Sequence, residues 1–309
     1  MTDRDNAYEG LIEGLIEAHD DARWAFGTSF DDPLAGVDTT LPEGVDGAQL
    51  AVYCLMLGDD ALIMAQRLAE WSTNAPELEE EVALANVGLD LLGQSRLLLA
   101  RAAAADRDVV PSMPEGSPVP DEDALAFFRD EMQFRNTRLC ELVNGDFAQS
   151  AARLLIFSAW RLSLLHRLQA SKDSVLSAVA AKGVKEVTYH RDYAARWVVT
   201  LAGGTEESRR RIQAGLAYIW PYVDELFQTH ELERSLAAAG VGVDPATLRD
   251  EFDGVLATVL HAADMEPPHV STSTAVAGRA GRDGIHSEAF CHLLVDLQVV
   301  ARSHPMGRW

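Results

Sequence analysis

Residues 49–73 read Gln49-Leu-Ala-Val-Tyr-Cys-Leu-Met-Leu-Gly-Asp-Asp-Ala-Leu-Ile-Met-Ala-Gln-Arg-Leu-Ala-Glu-Trp-Ser-Thr73. Leu50, Cys54, Leu57, Ala61, Met64 and Leu68 recur at steps of three and four, the period that lines one face of an α-helix. A helix of that length spans a small domain from end to end at ~1.5 Å per residue. The same period continues through nearly all of the chain after it. No stretch alternates at period two for long enough to predict a strand, so the fold class is all-α.

Turn and cap signals divide the rest. Asn74-Ala-Pro-Glu77 predicts the start of a second helix running to about Ala104, with Glu77, Glu79, Glu80 and Glu81 favourably placed at its positive end. Four prolines and a glycine make Val109–Pro120 a loop. A third helix is predicted from Asp121 to about Val143, stopped by Asn144-Gly145. Asp146 with Gln149 caps a fourth, 147–170, and Ser171 with Asp173 begins a fifth, 173–201, closed by Gly203-Gly204. Thr205 opens a sixth, which crosses Trp220-Pro221. Asp244-Pro245 starts a seventh to about 263, Ser271–Gly284 is loop, and Ser287 starts the last. Long helices joined by short turns predict an antiparallel bundle, with a core over about 49–230 and further helices over 231–309.

Charge separates off the N-terminus. The chain carries 48 acidic and 26 basic residues, a net of -22. That balance argues against a nucleic-acid partner. Residues 1–48 hold twelve of the acids against Arg4 and Arg23 alone, and are expected to be an acidic extension. Within it, Leu11, Ile12, Leu15 and Ile16 predict a short helix over Tyr8–Trp24, followed by a linker from Phe30 to Gly47. Without a basic-then-apolar leader or an uninterrupted apolar run of ~18 residues, the expected setting is the cytoplasm and not a membrane. Cys54, Cys140 and Cys291 lie far apart in apolar helical patterns and are expected to be buried thiols.

A bundle of this kind raises the question of a di-iron carboxylate centre. Such a centre takes one carboxylate from each of two helices and Glu-x-x-His from each of the other two, a spacing that puts both ligands on one face. No helical Glu-x-x-His occurs: the only Glu three residues before a His is Glu266 before His269, through Pro267-Pro268. The second helix offers Asp90 with Gln94, the fifth Glu186 with His190, and the fourth has no Asp or Glu at all. Two readings follow. Asp90, Gln94, Glu186 and His190, with Glu131 nearby, form a mutually satisfied polar network; or Asp90, Glu131, Glu186 and His190 form a non-standard metal set of an oxygen-activating enzyme. Lys182 and Glu186 also suit an ordinary i, i+4 pair. Arg129-Asp130-Glu131 with Arg135 and Arg138 reads as a surface ladder of ion pairs. Trp71, Trp160, Trp197 and Trp220 read as core or interface filling.

Several motifs, taken in order, resemble a known family. They are Leu57-Gly-Asp-Asp-Ala-Leu62, Gln66-Arg-Leu-Ala-Glu-Trp71, Ala75-Pro-Glu-Leu-Glu79 and, most distinctively, Leu84-Ala-Asn-Val-Gly-Leu-Asp-Leu-Leu-Gly-Gln-Ser-Arg96. Arg129-Asp-Glu131, Phe134-Arg-Asn136, Asn144-Gly-Asp-Phe-Ala148 and Ala181-Lys-Gly-Val-Lys-Glu-Val-Thr-Tyr-His190 continue the series. Gly204-Thr-Glu-Glu-Ser208, Trp220-Pro221, Gly284-Ile-His-Ser-Glu288 and Trp309 complete it. Over about 49–309 the chain is similar to PaaC, the C subunits of ring-1,2-phenylacetyl-CoA epoxidases; the extension 1–48 departs from the pattern.

The resemblance implies a ferritin-like bundle without catalytic, cofactor-binding or metal-binding residues of its own. It implies a structural role beside a di-iron catalytic A subunit, with a small B subunit and a reductase E subunit that carries FAD and an iron–sulfur cluster and takes electrons from NADPH. The complex makes the ring epoxide of phenylacetyl-CoA with molecular oxygen. Pairing of homologous bundles, or self-association when the partner is missing, is the expected way to cover surplus apolar surface.

Overall fold

The computed structural model describes residues 34–271 and 278–307. The predicted Tyr8–Trp24 helix, the first four residues (30–33) of the Phe30–Gly47 linker, part of the Ser271–Gly284 loop and Trp309 lie outside the described residues; the rest of the linker, up to Asp46, contains no helix, as predicted. Gly36–Trp309 forms one compact unit, and all the elements named below belong to it.

Ten α-helices and no β-strand are found among the described residues: α1 (Gly47–Ala69), α2 (Leu78–Ala105), α3 (Asp121–Phe127), α4 (Arg138–Glu141), α5 (Phe147–Leu168), α6 (Ser174–Gly203), α7 (Glu206–Ile219), α8 (Glu231–Ala238), α9 (Arg249–Ala262) and α10 (Glu288–Ser303). Two antiparallel hairpins, α1 with α2 and α5 with α6, make the bundle, and they meet chiefly along α2 and α6. Side chains that pair across this seam step down α6 as they step up α2. Glu80 accepts from the Trp197 Nε1–H at 2.9 Å, Asp90 meets His190 at 2.9 Å, Gln94 meets Glu186 at 2.8 Å, and Arg101 meets Asp173 at 2.6 Å. That order requires the two helices to run antiparallel.

The predicted apolar face of α1 is interior: Leu50, Cys54, Leu57, Ala61, Met64 and Leu68 are all buried. Averaged over 18-residue windows, α1 and α2 are long and apolar enough to cross a membrane, although neither holds an uninterrupted apolar run. In α1 the reason is position, since 83% of its window is buried inside the bundle. An edge-to-face chain of Trp71, Phe147 and Trp197, with centroids 6.0 and 4.9 Å apart, clamps one end of the two hairpins.

Several caps fall where the sequence puts them. Asp146 accepts from Gln149 N–H at 2.9 Å, Asp173 from Leu176 N–H at 3.0 Å, and Thr205 from Ser208 N–H at 3.1 Å. Asn74 is different. Its amide donates to the Glu70 carbonyl at 3.0 Å, so it closes α1 instead of opening α2, and Thr73 beside it turns the chain with φ 68°. Beyond residue 205 the last helix begins at Ser287 as predicted and ends at Ser303, whereas the sixth and seventh are shorter than expected. α7 tightens at Trp220–Tyr222, Pro245–Leu248 is a single 3₁₀ turn before α9, and α8 is an element the pattern did not announce.

The largest departure is the predicted third helix. Instead of running from Asp121 to Val143 it breaks after Phe127, forms one 3₁₀ turn at Glu131–Gln133 and resumes as α4. The cause lies on α1. Asp59 receives the Arg135 backbone N–H at 2.8 Å and Asp60 receives that of Thr137 at 2.8 Å, taking donors that a continuous helix would direct to its own carbonyls. Arg129 forms a bidentate ion pair with Asp59, and Arg282 meets Asp60 at 2.7 Å. The expected surface ladder is therefore corrected, because Arg129 and Arg138 are buried, the latter 3.0 Å from the buried Glu225. Gly281 fits beneath this layer because a Cβ there would lie 2.1 Å from the Asn136 carbonyl oxygen.

Removing Asp59 leaves the buried Arg129 guanidinium without its counter-charge and the half-buried Arg135 N–H without its acceptor. Asp59→Ala is expected to cost about 3–5 kcal/mol in urea unfolding. Asp253→Ala, at an exposed pair with Arg249, is expected to cost under about 1 kcal/mol.

Candidate functional site

The polar residues singled out on α2 and α6 converge at the middle of the bundle. His190 is buried, and its Nε2 lies 2.9 Å from Asp90 Oδ2; the Asp90 side chain is 38% exposed and opens this corner to solvent. One turn along, the Gln94 amide donates to Glu186 Oε2 at 2.8 Å. Lys182 completes the expected i, i+4 pair with Glu186 at 3.8 Å, from the solvent side. Gly183 makes room for this layer: a Cβ there would stand 3.3 Å from the Gln94 amide and 3.0 Å from a Leu165 methyl.

The residue that sequence reasoning missed is Arg161 on α5. It is 1% exposed and reaches the centre from the helix that lacks acids. Its Nε–H donates to Gln94 Oε1 at 3.0 Å and its Nη1–H to the Leu57 carbonyl at 3.2 Å, while Nη2 has no hydrogen-bond partner among the described residues. Gln94 thus relays between a guanidinium and a carboxylate, accepting from one and donating to the other. The signal was present in the sequence as a lone arginine in the apolar run Leu154-Leu-Ile-Phe-Ser-Ala-Trp-Arg-Leu-Ser-Leu-Leu165. An arginine at that depth is rarely idle.

Electrostatics follow burial. Desolvation pushes the Glu186 carboxyl above its ordinary range, opposed by the Gln94 hydrogen bond and by nearby Lys182 and His190. Asp60 is pushed up for the same first reason and drawn back by Arg282, the Thr137 N–H and Arg161. Burial in turn lowers the Arg161 guanidinium, with Asp60 and Glu186 working the other way.

Glu131 does not join the cluster. It sits on the 3₁₀ turn after α3, where its carboxylate accepts from the Cys291 thiol at 3.1 Å, in a shallow cleft against α10. The proposed ligand set Asp90, Glu131, Glu186 and His190 is corrected accordingly: Asp90 pairs with His190, Glu186 pairs with Gln94 in the next layer, and Glu131 joins neither. Cys291 is exposed, against the expectation of a buried thiol, whereas Cys54 and Cys140 are buried. Among the described residues no group of three or more His, Cys, Asp or Glu side chains is disposed to hold a metal ion. The donor chemistry at the centre does not fit a di-iron group either, since one potential ligand is an amide turned N–H toward Glu186 and the facing side chain is a cation.

An all-α bundle with a polar centre built this way defines the class. The family described as phenylacetic acid catabolic protein (PaaA_PaaC) matches residues 38–309, and the chain belongs to it. The C subunit of the 1,2-phenylacetyl-CoA epoxidase of Escherichia coli (strain K12) is 38% identical over 261 residues, which cover 84% of this chain and 99% of that protein. The resemblance drawn from the motifs holds.

Glu186 supplies a pH-dependent test. A carboxyl whose folded pKa is raised lowers stability when ionised, so its cost is absent below the unfolded value and complete above the folded one. Glu186→Gln is therefore expected to raise the melting temperature at about pH 8. The gain should shrink toward zero by about pH 4, where the wild-type carboxyl is protonated in both states. Thermal denaturation across that range measures it; a gain that stays constant with pH would contradict the assignment.

Proposed function

We propose that this chain is the structural C subunit of a cytoplasmic ring-1,2-phenylacetyl-CoA epoxidase. It performs no chemistry itself and holds the di-iron A subunit in its working form. The single observation that carries the reading is the similarity to the C subunit of the Escherichia coli epoxidase along 99% of that protein. The donor set at the bundle centre supports the non-catalytic part, because Gln94 turns its amide N–H toward Glu186 and its oxygen toward the Arg161 guanidinium. The other partners in this reading are the small B subunit and the E reductase with its FAD, iron–sulfur cluster and NADPH.

A surface suited to such a partner lies on α2. Leu78, Val82, Leu89 and Leu92 are exposed, 71% in the case of Leu78, and their spacing puts them within one face of the helix. Tyr189 of α6, also exposed, stands level with Leu89 and Leu92, because its neighbour His190 meets Asp90. A row of large apolar side chains on a long helix is the kind of surface that permanent interfaces cover.

Co-expression with an A subunit tests the reading. The two chains are expected to co-purify, and this chain alone to self-associate or lose solubility while binding essentially no iron. The double change Leu89→Arg with Leu92→Arg should weaken recovery of the complex by about tenfold or more, with little effect on the melting temperature. A soluble monomer indifferent to the A subunit would contradict the proposal. Two irons per chain, lost on changing Glu186 and His190, would replace it with an oxygenase.

A further inference from the structure

We propose that Arg161 is a built-in counter-cation: its guanidinium takes the electrostatic place that a metal ion would hold at the centre of this bundle, and its presence is what closes that centre to divalent cations. The inference rests on the reading of the chain as the non-catalytic subunit, and deepens it by naming the residue that enforces the role.

The geometry carries the argument. Asp90 and His190 form one pair and Gln94 and Glu186 the next, on two antiparallel helices, so two carboxylates and an imidazole face one another across the seam. Such a frame carries two carboxylates against the single exposed cation Lys182, 3.8 Å from Glu186, and is partly desolvated, a combination that takes up a further cation or a proton. Arg161 supplies that charge permanently, because a guanidinium stays protonated in proteins. It also fills the position from the third helix, where a metal-holding bundle would contribute a carboxylate. Its contacts are those of a resident in place of an ion. One N–H reaches the frame through Gln94, one reaches the Leu57 carbonyl on α1, and Nη2 finds no partner among the described residues. A buried guanidinium nitrogen without an acceptor is costly. Its retention is understandable if the positive charge, and not the full set of hydrogen bonds, is what the centre requires.

Two consequences follow. Exchanging the cation for a carboxylate, Arg161→Glu, adds a fourth oxygen or nitrogen donor group to Asp90, Glu186 and His190 and removes the repulsion toward M²⁺. Exchanging it for an apolar side chain, Arg161→Met, leaves Glu186 with the exposed Lys182 at 3.8 Å as its neighbouring cation and removes the buried one.

The test uses the full chain and Co²⁺ as the probe, read by visible ligand-field absorption and by the shift in melting temperature. Wild type is expected to give neither signal. Arg161→Glu is expected to give both, and both should be lost in Arg161→Glu with His190→Ala. A wild-type Co²⁺ band removed by His190→Ala would overturn the proposal, as would a folded Arg161→Glu chain without a band.

If Arg161→Glu does not fold, Arg161→Met decides. Adding Glu186→Gln to Arg161→Met should then raise the melting temperature at about pH 8 by more than Glu186→Gln does in wild type, the mark of two coupled charges. Equal increments would overturn the proposal. These readouts are independent of the A subunit. A chain that fails to co-purify with that subunit yet behaves as described would sink the functional reading and leave the role of Arg161 standing.

Discussion

The adjacent aspartates of α1, Asp59 and Asp60, are the constraint on which the outer layer of the structure depends. Both are fully buried in the middle of an apolar helix, where an unpaired carboxylate would be untenable. Successive residues on a helix point about 100° apart, so the two select different partners. Asp59 takes Arg129 and the Arg135 N–H, whereas Asp60 takes Arg282 and the Thr137 N–H. Segments far apart in the chain are thereby fixed on one stretch of α1. The same layer extends through Glu141, which accepts from the Ser287 N–H at 2.8 Å and meets His286 at 2.5 Å, so α10 is tied in at its first turn.

A second set of buried charges does a different job. Arg101 with Asp173, His190 with Asp90, and Gln94 with Glu186 and Arg161 lie along the α2–α6 seam and set its register. Apolar contact alone tolerates sliding by a turn, but a one-turn slip here would strand each of these groups without its partner. Asp173 serves twice, as the cap of α6 and as the acceptor for Arg101, so the start of the helix and the alignment of the hairpins are set by one carboxylate. The middle of the bundle is thereby filled with internal pairs.

The candidate site was half legible. Asp90, Gln94, Glu186 and His190 could be picked out because polar residues at i, i+4 on otherwise apolar helices share a face that must point somewhere costly. Glu131 was misplaced because its neighbourhood has good helical periodicity, and nothing local reveals that Asp59 and Asp60 capture the backbone donors of residues 135 and 137. The same hidden interaction turned Arg129 and Arg138 from expected surface charges into buried ones. Cys291 escaped in the opposite direction: its apolar neighbours suggested burial, but α10 lies at the edge of the molecule and leaves Val295, Val299 and Val300 exposed as well.

What the sequence by itself determined is everything governed by near neighbours along the chain. The helical period, the caps at Asp146, Asp173 and Thr205, the all-α class and the family motifs depend on residues within about one or two turns of each other. What only the tertiary structure decided is the pairing of charges distant in sequence. Arg161 belongs to Gln94, Arg129 to Asp59 and Arg282 to Asp60, although up to 222 positions separate the partners. No local propensity encodes such a choice. It is made when desolvation forces each buried charge to find its complement, and the backbone, even of a predicted helix, bends to allow it.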